Sequence, residues 1–123
     1  MQPERRLYTS TLSGNSYKVR LFLGLLGLEY TTIEVDLRGG EHRRAPFLAL
    51  NPLGQVPVLV DGDTLLADSQ AILVYLARRY AEAGWLPLDP LPLARITRWL
   101  SIAANDIQHG PATARIIALF GLK

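Results

Sequence analysis

The stretch NPLGQVPVLVDGDTLLADS, residues Asn51–Ser69, contains the signals that decide the fold. A short apolar run that opens at Pro57 is followed by an Asp-Gly-Asp turn and a second β-prone run, and this order predicts a β-hairpin. The second run leads into Asp68 and Ser69, which are both good N-cap residues, ahead of a segment with helical apolar spacing. We therefore predict a hairpin that runs directly into a helix.

The position of Pro57 predicts a docking edge for an extended peptide. Proline cannot donate to a sheet ladder, so it belongs at a strand start or edge, and the Val56–Pro57 bond is a candidate for the cis form. A cis bond would turn the backbone N–H and C=O of Val56 outward. The helix that begins after Asp68 offers N–H groups and a positive dipole end, which suit a carboxylate. The stretch therefore predicts a site for a small acidic peptide.

Upstream of this stretch, the pattern is strand, helix, strand. The predicted elements are a strand over Arg6–Ser10, a helix over Ser16–Leu26 that ends at Gly27, and a second strand over Tyr30–Leu37. A connection of this length predicts a parallel, right-handed βαβ unit. The helix is apolar nearly all round, so we expect burial on more than one side.

Downstream, the pattern is mostly helical. The predicted elements are a helical turn over Ala45–Leu50, a helix over Gln70–Ala83 ended by Gly84, a non-helical proline-rich segment over Trp85–Pro92, and two helices, Leu93–Gln108 and Ala112–Leu119, that Gly110-Pro111 separates. We therefore predict an α/β domain over residues 1–83, a linker over 84–92, and the start of an all-α domain over 93–123.

Composition narrows the class of protein. The chain has 123 residues, 49% hydrophobic and 20% charged, which is typical of a folded globular protein. It has no cysteine, which excludes disulfides, thiolate metal sites and redox chemistry on its own thiols. The net charge is only +2 and the arginines are scattered along the sequence, which argues against a protein that binds nucleic acid. Without a long apolar run or a signal segment, we expect a cytoplasmic protein with no membrane partner and no metal.

Three motifs together resemble the N-terminal domain of the cytosolic glutathione S-transferases, most of all the bacterial, theta-like members. They are LYTSTLSGNSYKVRLFL (Leu7–Leu23), FLALNPLGQVPVLVDGD (Phe47–Asp63) and LADSQAILVYLARRY (Leu66–Tyr80). The resemblance implies a thioredoxin-like α/β domain with a four-stranded mixed sheet, followed by a partial all-α domain. Members of the family have a much longer helical domain, so we expect this chain to be truncated.

The resemblance also implies which residues hold glutathione as the co-substrate. Val56, before Pro57, would pair its backbone with the cysteinyl part, and Asp68 with Ser69 would hold the γ-glutamyl end. The glycyl end would lie near Gln55 and His42. The implied glutathione-binding set is therefore His42, Gln55, Val56, Pro57, Asp68 and Ser69. Some of them also have structural interpretations, since Asp68 and Ser69 suit any helix start and His42 suits a solvated loop.

Two residues of the first loop are implied to activate the thiol. Ser13 matches the hydroxyl of theta-like enzymes, and Asn15 matches the asparagine of a bacterial group with disulfide-reductase behaviour. A free thiol has a pKa of about 8.5 and is mostly protonated at neutral pH, so a positioned donor that stabilises the thiolate produces more nucleophile. The structural alternatives are that Ser13 or Asn15 caps the first helix.

The resemblance implies a glutathione transferase that acts in detoxification. Glutathione thiolate would attack an electrophilic small molecule, and the protein would be a homodimer that uses the Gly62–Tyr80 side of this domain. Three alternatives stay open, and one of them is that the chain is an inactive fragment of such an enzyme. The other two keep the fold and change the function. One is a glutathione-dependent disulfide reductase or peroxidase, and the other is a non-catalytic interaction module of the same fold.

Overall fold

A mixed sheet of four strands, in the order β2-β1-β3-β4, lies at the centre of the first part of the chain. The strands are β1 (Arg5–Thr9), β2 (Thr31–Glu34), β3 (Val58–Asp61) and β4 (Thr64–Ala67). β1 is parallel to β2 and antiparallel to β3, and β3 is antiparallel to β4. The predicted thioredoxin-like α/β fold with a four-stranded mixed sheet is confirmed.

The computed structural model describes residues 2–122, so Met1 and Lys123, the outer ends of the two predicted domains, lie outside the described residues. The chain divides into two units, residues 1–81 and 82–123. Each unit has its own set of helices and turns, and the strands all belong to the first unit.

Helix α1 (Gly14–Leu25) connects the two parallel strands. It begins earlier than predicted because Ser13 is the N-cap, with its side chain accepting a hydrogen bond from the backbone N–H of Ser16. It ends as predicted at Gly27, whose φ of 65° lies in the left-handed region, where glycine has no Cβ to clash. Its inner face is buried, whereas Leu25 on the outer face is 62% exposed within the described residues.

Two more helices complete this unit. A 3₁₀ turn (Glu41–Arg43) leads into the short helix α2 (Ala45–Leu48), and α3 (Ser69–Tyr80) follows β4 directly, as the hairpin stretch predicted. The prediction that α3 continues to Ala83 is wrong, because the helix ends at Tyr80. Ala81 is already extended, at φ −87° and ψ 161°, and the hydroxyl of the preceding Tyr80 is held by a buried carboxylate of β3.

The sheet buries side chains on both faces because successive residues of a strand point to opposite sides. On one face, Leu7 and Leu59 pack with α1 and α3, through a cluster that also contains Val19, Phe22, Leu23, Ile72 and Leu76. On the other face, Val58 packs with Val35 and with Phe47 of α2. Both faces of β3 are therefore covered, and the position of this strand is strongly determined.

A cluster of polar side chains surrounds the buried Asp61 carboxylate at one end of the sheet, and we call it the Asp61 cluster (Arg5, Asp61, Tyr75, Arg79 and Tyr80). The hydroxyls of Tyr75 and Tyr80 donate to Asp61 Oδ2 at 2.9 and 2.6 Å. Arg5 Nε lies 3.5 Å from Asp61 Oδ1 as an ion pair without a hydrogen bond, and both side chains are buried. Burial and the hydrogen bond to Asp61 raise the pKa of Tyr75.

The second unit is helical. It contains a 3₁₀ turn (Ala83–Trp85), α4 (Pro90–Ile102), a π-helical segment (Ala103–Ala112) and α5 (Thr113–Phe120). The prediction that Trp85–Pro92 is not helical is wrong for the last three residues, because α4 begins at Pro90. Proline is compatible with the first turn of a helix.

The predicted break at Gly110-Pro111 is also wrong. A π-helical segment runs through Pro111 instead, and the hydroxyl of Thr113 donates to the carbonyl oxygen of Gln108 at 2.6 Å, beside the proline. The wider π-helical turn accommodates a residue that lacks a backbone N–H. Across residues 2–122, no helix is long and apolar enough to span a membrane.

Candidate functional site

The strand register brings every predicted site segment to one end of the sheet. Tyr8 lies opposite Val58, and Val58 lies opposite Ala67, so the segment after β1, the segment before β3 and the segment after β4 are neighbours. β2 is parallel to β1, with Glu34 beside Thr9, so the loop after β2 is at the same end. We call this the loop end of the sheet, in contrast to the end closed by the Asp61 cluster.

The first loop presents Ser13 and Asn15 at the start of α1. Ser13 Oγ accepts a hydrogen bond from the backbone N–H of Ser16 at 3.1 Å, so Ser13 is the cap and its O–H hydrogen remains as a donor. Asn15 lies within the first turn, and its Oδ1 accepts from Lys18 Nζ at 3.1 Å. Both side chains are half-buried. The capping role expected of either residue therefore belongs to Ser13, and it is compatible with donation to a ligand.

Two charged residues that the sequence did not single out hold this loop. Arg20 Nη1 donates to Thr9 Oγ1 at 2.6 Å and to the carbonyl oxygen of Ser10 at 3.1 Å. Glu34 Oε1 accepts from the backbone N–H of Thr11 at 2.8 Å. The sequence contains a signal for Arg20, a long basic side chain between apolar residues of a buried helix, but its partners on β1 are visible only in the fold.

The Val56–Pro57 peptide bond is cis, as predicted. Among residues 2–122, no protein group hydrogen-bonds the backbone N–H or C=O of Val56. Asn51, which is buried, braces the preceding turn: its Nδ2 donates to the carbonyl oxygen of Gln55 at 2.9 Å and its Oδ1 accepts from the N–H of Leu53 at 3.1 Å. The Gln55 side chain is exposed. This turn therefore presents an available backbone edge at the loop end.

The loop after β2 rests against this turn. Gly54 has a φ of 62°, and a Cβ added there would lie 2.8 Å from the carbonyl oxygen of His42, so only glycine fits the approach. His42 is half-buried, and its Nδ1 is buried without a hydrogen-bond partner among the described residues. His42 is therefore not fully solvated, as a purely structural surface residue of this loop would be.

Asp68 and Ser69 form the start of α3. Asp68 is exposed, has a φ of 71°, and accepts a hydrogen bond from the backbone N–H of Ala71 through Oδ2 at 3.2 Å. Ser69 is 6% exposed. Burial lowers the pKa of the Lys18 ammonium below its ordinary value of 10.5, and the negative charge of Asp68 opposes part of that lowering. Lys18 therefore contacts Asn15 at the start of α1 and interacts through its charge with Asp68 at the start of α3.

This arrangement suits an extended anionic peptide. The N-termini of α1 and α3 both lie at the loop end, where their N–H groups and dipoles favour negative charge. The unpaired Val56 backbone can bind a peptide group between them, and the Ser13 hydroxyl can donate to an anion near α1. Within residues 2–122, no group of three or more His, Asp or Glu side chains is placed to hold a metal ion.

Known proteins are similar to this chain in sequence and in architecture. The family model of the glutathione S-transferase N-terminal domain matches residues 12–79. A curated relative from Pseudomonas aeruginosa, maleylacetoacetate isomerase, is 41% identical over 121 residues, which cover 94% of this chain and 57% of the relative. The chain therefore spans less than two thirds of the length of that relative.

Solved structures agree with the family model. A glutathione S-transferase from Pseudomonas fluorescens matches with a TM-score of 0.88 and 38% identity, over 97% of this chain and 59% of that chain. A theta-class glutathione S-transferase from Xanthomonas axonopodis pv. citri, solved with glutathione bound, matches with a TM-score of 0.77 and 34% identity, over 84% of this chain and 49% of that chain. The resemblance found in the sequence is confirmed, and the chain belongs to the glutathione S-transferase family.

Proposed function

We propose that the protein containing this chain is a glutathione transferase that binds glutathione at the loop end of the sheet. The strand register carries the proposal, because it brings together the first loop, the Val56 backbone edge and the start of α3. The glutathione bound in the theta-class structure from Xanthomonas axonopodis supports the choice of ligand.

The binding half of the site has three parts. The backbone of Val56 pairs with the cysteinyl peptide group, since no group among the described residues occupies it. Ser69, Asp68 and the N-terminus of α3 hold the γ-glutamyl end, where N–H groups and the helix dipole favour the carboxylate. His42 and Gln55, which border the turn before Pro57, receive the glycyl end.

The chemical half of the site is the first loop. Ser13 donates its hydroxyl hydrogen to the thiolate while its oxygen caps α1, and Asn15, two residues further along, provides a second donor. Stabilisation of the thiolate lowers the thiol pKa from about 8.5, and each unit of lowering gives up to about tenfold more nucleophile at neutral pH. The sulfur then forms a bond to an electrophilic carbon, and the leaving group departs with the bonding electrons.

A second candidate function is glutathione-dependent isomerisation, which the name of the Pseudomonas aeruginosa relative favours. The thiolate would add to a conjugated double bond, the resulting single bond would rotate, and elimination would restore the double bond and release glutathione. The two functions differ in their products, because transfer leaves sulfur attached to carbon and isomerisation consumes no glutathione. Mass spectrometry of the products distinguishes them.

We extend the proposal to assembly and location. The protein is a homodimer through the Gly62–Tyr80 side, where Leu65 and Val74 expose 47% and 38% of their surfaces. It works in the cytoplasm, where it detoxifies electrophilic small molecules. Light scattering of the purified protein tests the dimer.

Calorimetric titration of glutathione into this chain tests the site, with Ser69→Ala as the variant. We expect the parent to bind and Ser69→Ala to bind about tenfold more weakly, because a hydrogen bond to a charged group is lost. Ser101→Ala on α4 is the matched control, since Ser101 donates only to a carbonyl oxygen of its own helix at 3.1 Å. A chain that is folded by circular dichroism and binds no glutathione would refute the proposal.

A further inference from the structure

We propose that Lys18 is a positioning residue of this site, which orients the Asn15 amide and places a positive charge beside the glutathione thiolate. The inference rests on the proposed function, because it concerns the thiol of glutathione bound at the loop end. Lys18 follows Asn15 by one turn of α1, and its charge interacts with that of Asp68 at the start of α3. Its sequence context, an isolated lysine after a tyrosine, shows none of this.

The contact between Lys18 and Asn15 determines how the amide is oriented. Lys18 Nζ donates to Asn15 Oδ1 at 3.1 Å, so the oxygen of the amide faces the ammonium and the amide nitrogen is the atom left to act as a donor elsewhere. A cation that donates to an amide oxygen also polarises the amide and strengthens its N–H groups as donors. The ammonium therefore prepares Asn15 to donate to an anion in the first loop.

The surroundings of Lys18 make its charge effective. Its side chain is half-buried, so water screens the ammonium less than it would screen an exposed lysine. The negative charge of Asp68 on α3 acts on it from one side, and the Asn15 amide contacts it on α1. The other cation of this helix region, Arg20, is engaged by Thr9 and Ser10. Lys18 is therefore the cation that contacts Asn15, the candidate donor to the thiolate.

The cost of this burial argues for a role other than stability. Burial lowers the pKa of Lys18, so the charged form is disfavoured in the folded chain. That cost is present at neutral pH and is relieved only as the pH rises towards the ordinary value of 10.5. Lys18→Met is therefore expected to fold at least as stably as the parent, which allows binding and chemistry to be compared in folded proteins.

The first measurement is the thiol pKa of bound glutathione, from the thiolate ultraviolet absorbance as a function of pH. We expect Lys18→Met to raise this pKa by about one unit, the size of a single-charge effect at ~6 Å in an effective dielectric of about 40. Lys18→Arg, which keeps the charge, should stay close to the parent. Arg78→Met removes an exposed charge from α3 and is the matched control.

The second measurement separates the thiolate from the carboxylates of glutathione. S-methylglutathione keeps both carboxylates but has no ionisable thiol, so Lys18→Met should weaken binding of glutathione several-fold at pH 8 and change binding of S-methylglutathione less than twofold. Equal losses for both ligands would assign Lys18 to a carboxylate and overturn the proposal. An unchanged thiol pKa would overturn it as well.

If the proposed function is wrong, the result differs: the folded parent binds neither glutathione nor S-methylglutathione. The proposed role of Lys18 is then wrong as well. Lys18→Gln serves as a second neutral variant if Lys18→Met does not fold. Its side chain is polar and uncharged, so it keeps a possible hydrogen bond to Asn15 Oδ1 while it removes the charge. A raised thiol pKa in Lys18→Gln supports the proposal, and a parent-like pKa overturns it.

Discussion

The two ends of the sheet contain similar kinds of side chain and use them differently. At the Asp61 cluster, one buried carboxylate accepts from two tyrosine hydroxyls through Oδ2 and forms ion pairs with two arginines, although Arg5 Nε and Asp61 Oδ1 make no hydrogen bond. At the loop end, the Val56 backbone has no partner among the described residues, and His42 Nδ1 is buried without one. The charged groups of the first end pair with one another within the protein, whereas the second end has polar groups available to a ligand.

This difference indicates which residues of the unit determine its stability and which determine ligand binding. A buried charge is tolerated when it is paired and hydrogen-bonded, and removal of one partner leaves the others unsatisfied. Groups that await a ligand contribute little to folding and much to binding. We therefore expect substitutions at the Asp61 cluster to change stability, and substitutions at the loop end to change glutathione binding.

The largest effect is expected for Asp61→Asn. The substitution removes the charge that pairs with buried Arg5, so the free energy of unfolding should fall by about 3–5 kcal/mol. Urea unfolding followed by circular dichroism measures it. Asp63→Asn, at an exposed position of the same hairpin, is the control and should stay within about 0.5 kcal/mol of the parent. An unfolding free energy of Asp61→Asn equal to that of the control would contradict the assignment.

An intermediate effect is expected at Asp68, which belongs to the loop end but also caps α3. Asp68→Ala should lower the unfolding free energy by about 1–2 kcal/mol, because the hydrogen bond to the Ala71 N–H is lost and alanine is strained at a φ of 71°. It should also weaken glutathione binding.

Asp68→Asn separates these two effects. Asparagine tolerates the left-handed region and can cap the helix, so stability should return to near the parent value, while binding should stay weak without the carboxylate charge. Urea unfolding and calorimetry on the same two variants measure both quantities. Parent-like glutathione affinity in Asp68→Asn would show that the charge has no part in binding.

The smallest effect is expected for Tyr75→Phe, because Asp61 keeps Tyr80 and the arginines as partners, and the cost should be about 1 kcal/mol or less. The pKa of Tyr75 is raised in the folded chain, so the unfolded chain loses this proton first as the pH rises above 10.0. The contribution of Tyr75 is therefore complete below pH 10.0 and decreases above it.

Urea unfolding of the parent and of Tyr75→Phe at pH 8 and at pH 10.5 measures this decrease. The difference between the two proteins should be smaller at the higher pH. Tyr17→Phe, on the exposed side of α1, is the control and should give the same small difference at both values. A Tyr75 contribution that grows with pH would have the wrong sign for the described hydrogen bond.

Local signals were sufficient to predict the sheet and most of the helices. The Asp-Gly-Asp turn, the alternation around it and the cap at Asp68 all act within a few residues, and the hairpin followed by α3 formed as predicted. The errors lie where distant contacts or context decide. α3 ends at Tyr80, whose hydroxyl is held by Asp61, and α4 begins at Pro90 because proline is favoured in a first turn.

The candidate site divides in the same way. The segments that contain the predicted residues meet at the loop end, and their proposed roles stay predictions that the experiments above test. Lys18, Arg20 and Asn51 were not predicted, because each acts through a partner that only the fold reveals: an amide on the adjacent turn, a loop after β1, or a turn before Pro57. Residue type alone did not distinguish them from ordinary surface or turn residues.

The close approach of Gly54 to the carbonyl oxygen of His42 has a consequence for how this protein can change over evolution. Two loops that would both face the glycyl end of glutathione are in contact through backbone atoms, so neither can be lengthened or reshaped without the other. Leu53, the preceding residue, is 78% exposed and is open to substitution. Leu53 and Gly54 are adjacent in one turn, yet Leu53 can vary and Gly54 cannot. The contact with the His42 backbone restricts Gly54 whether or not a ligand is bound.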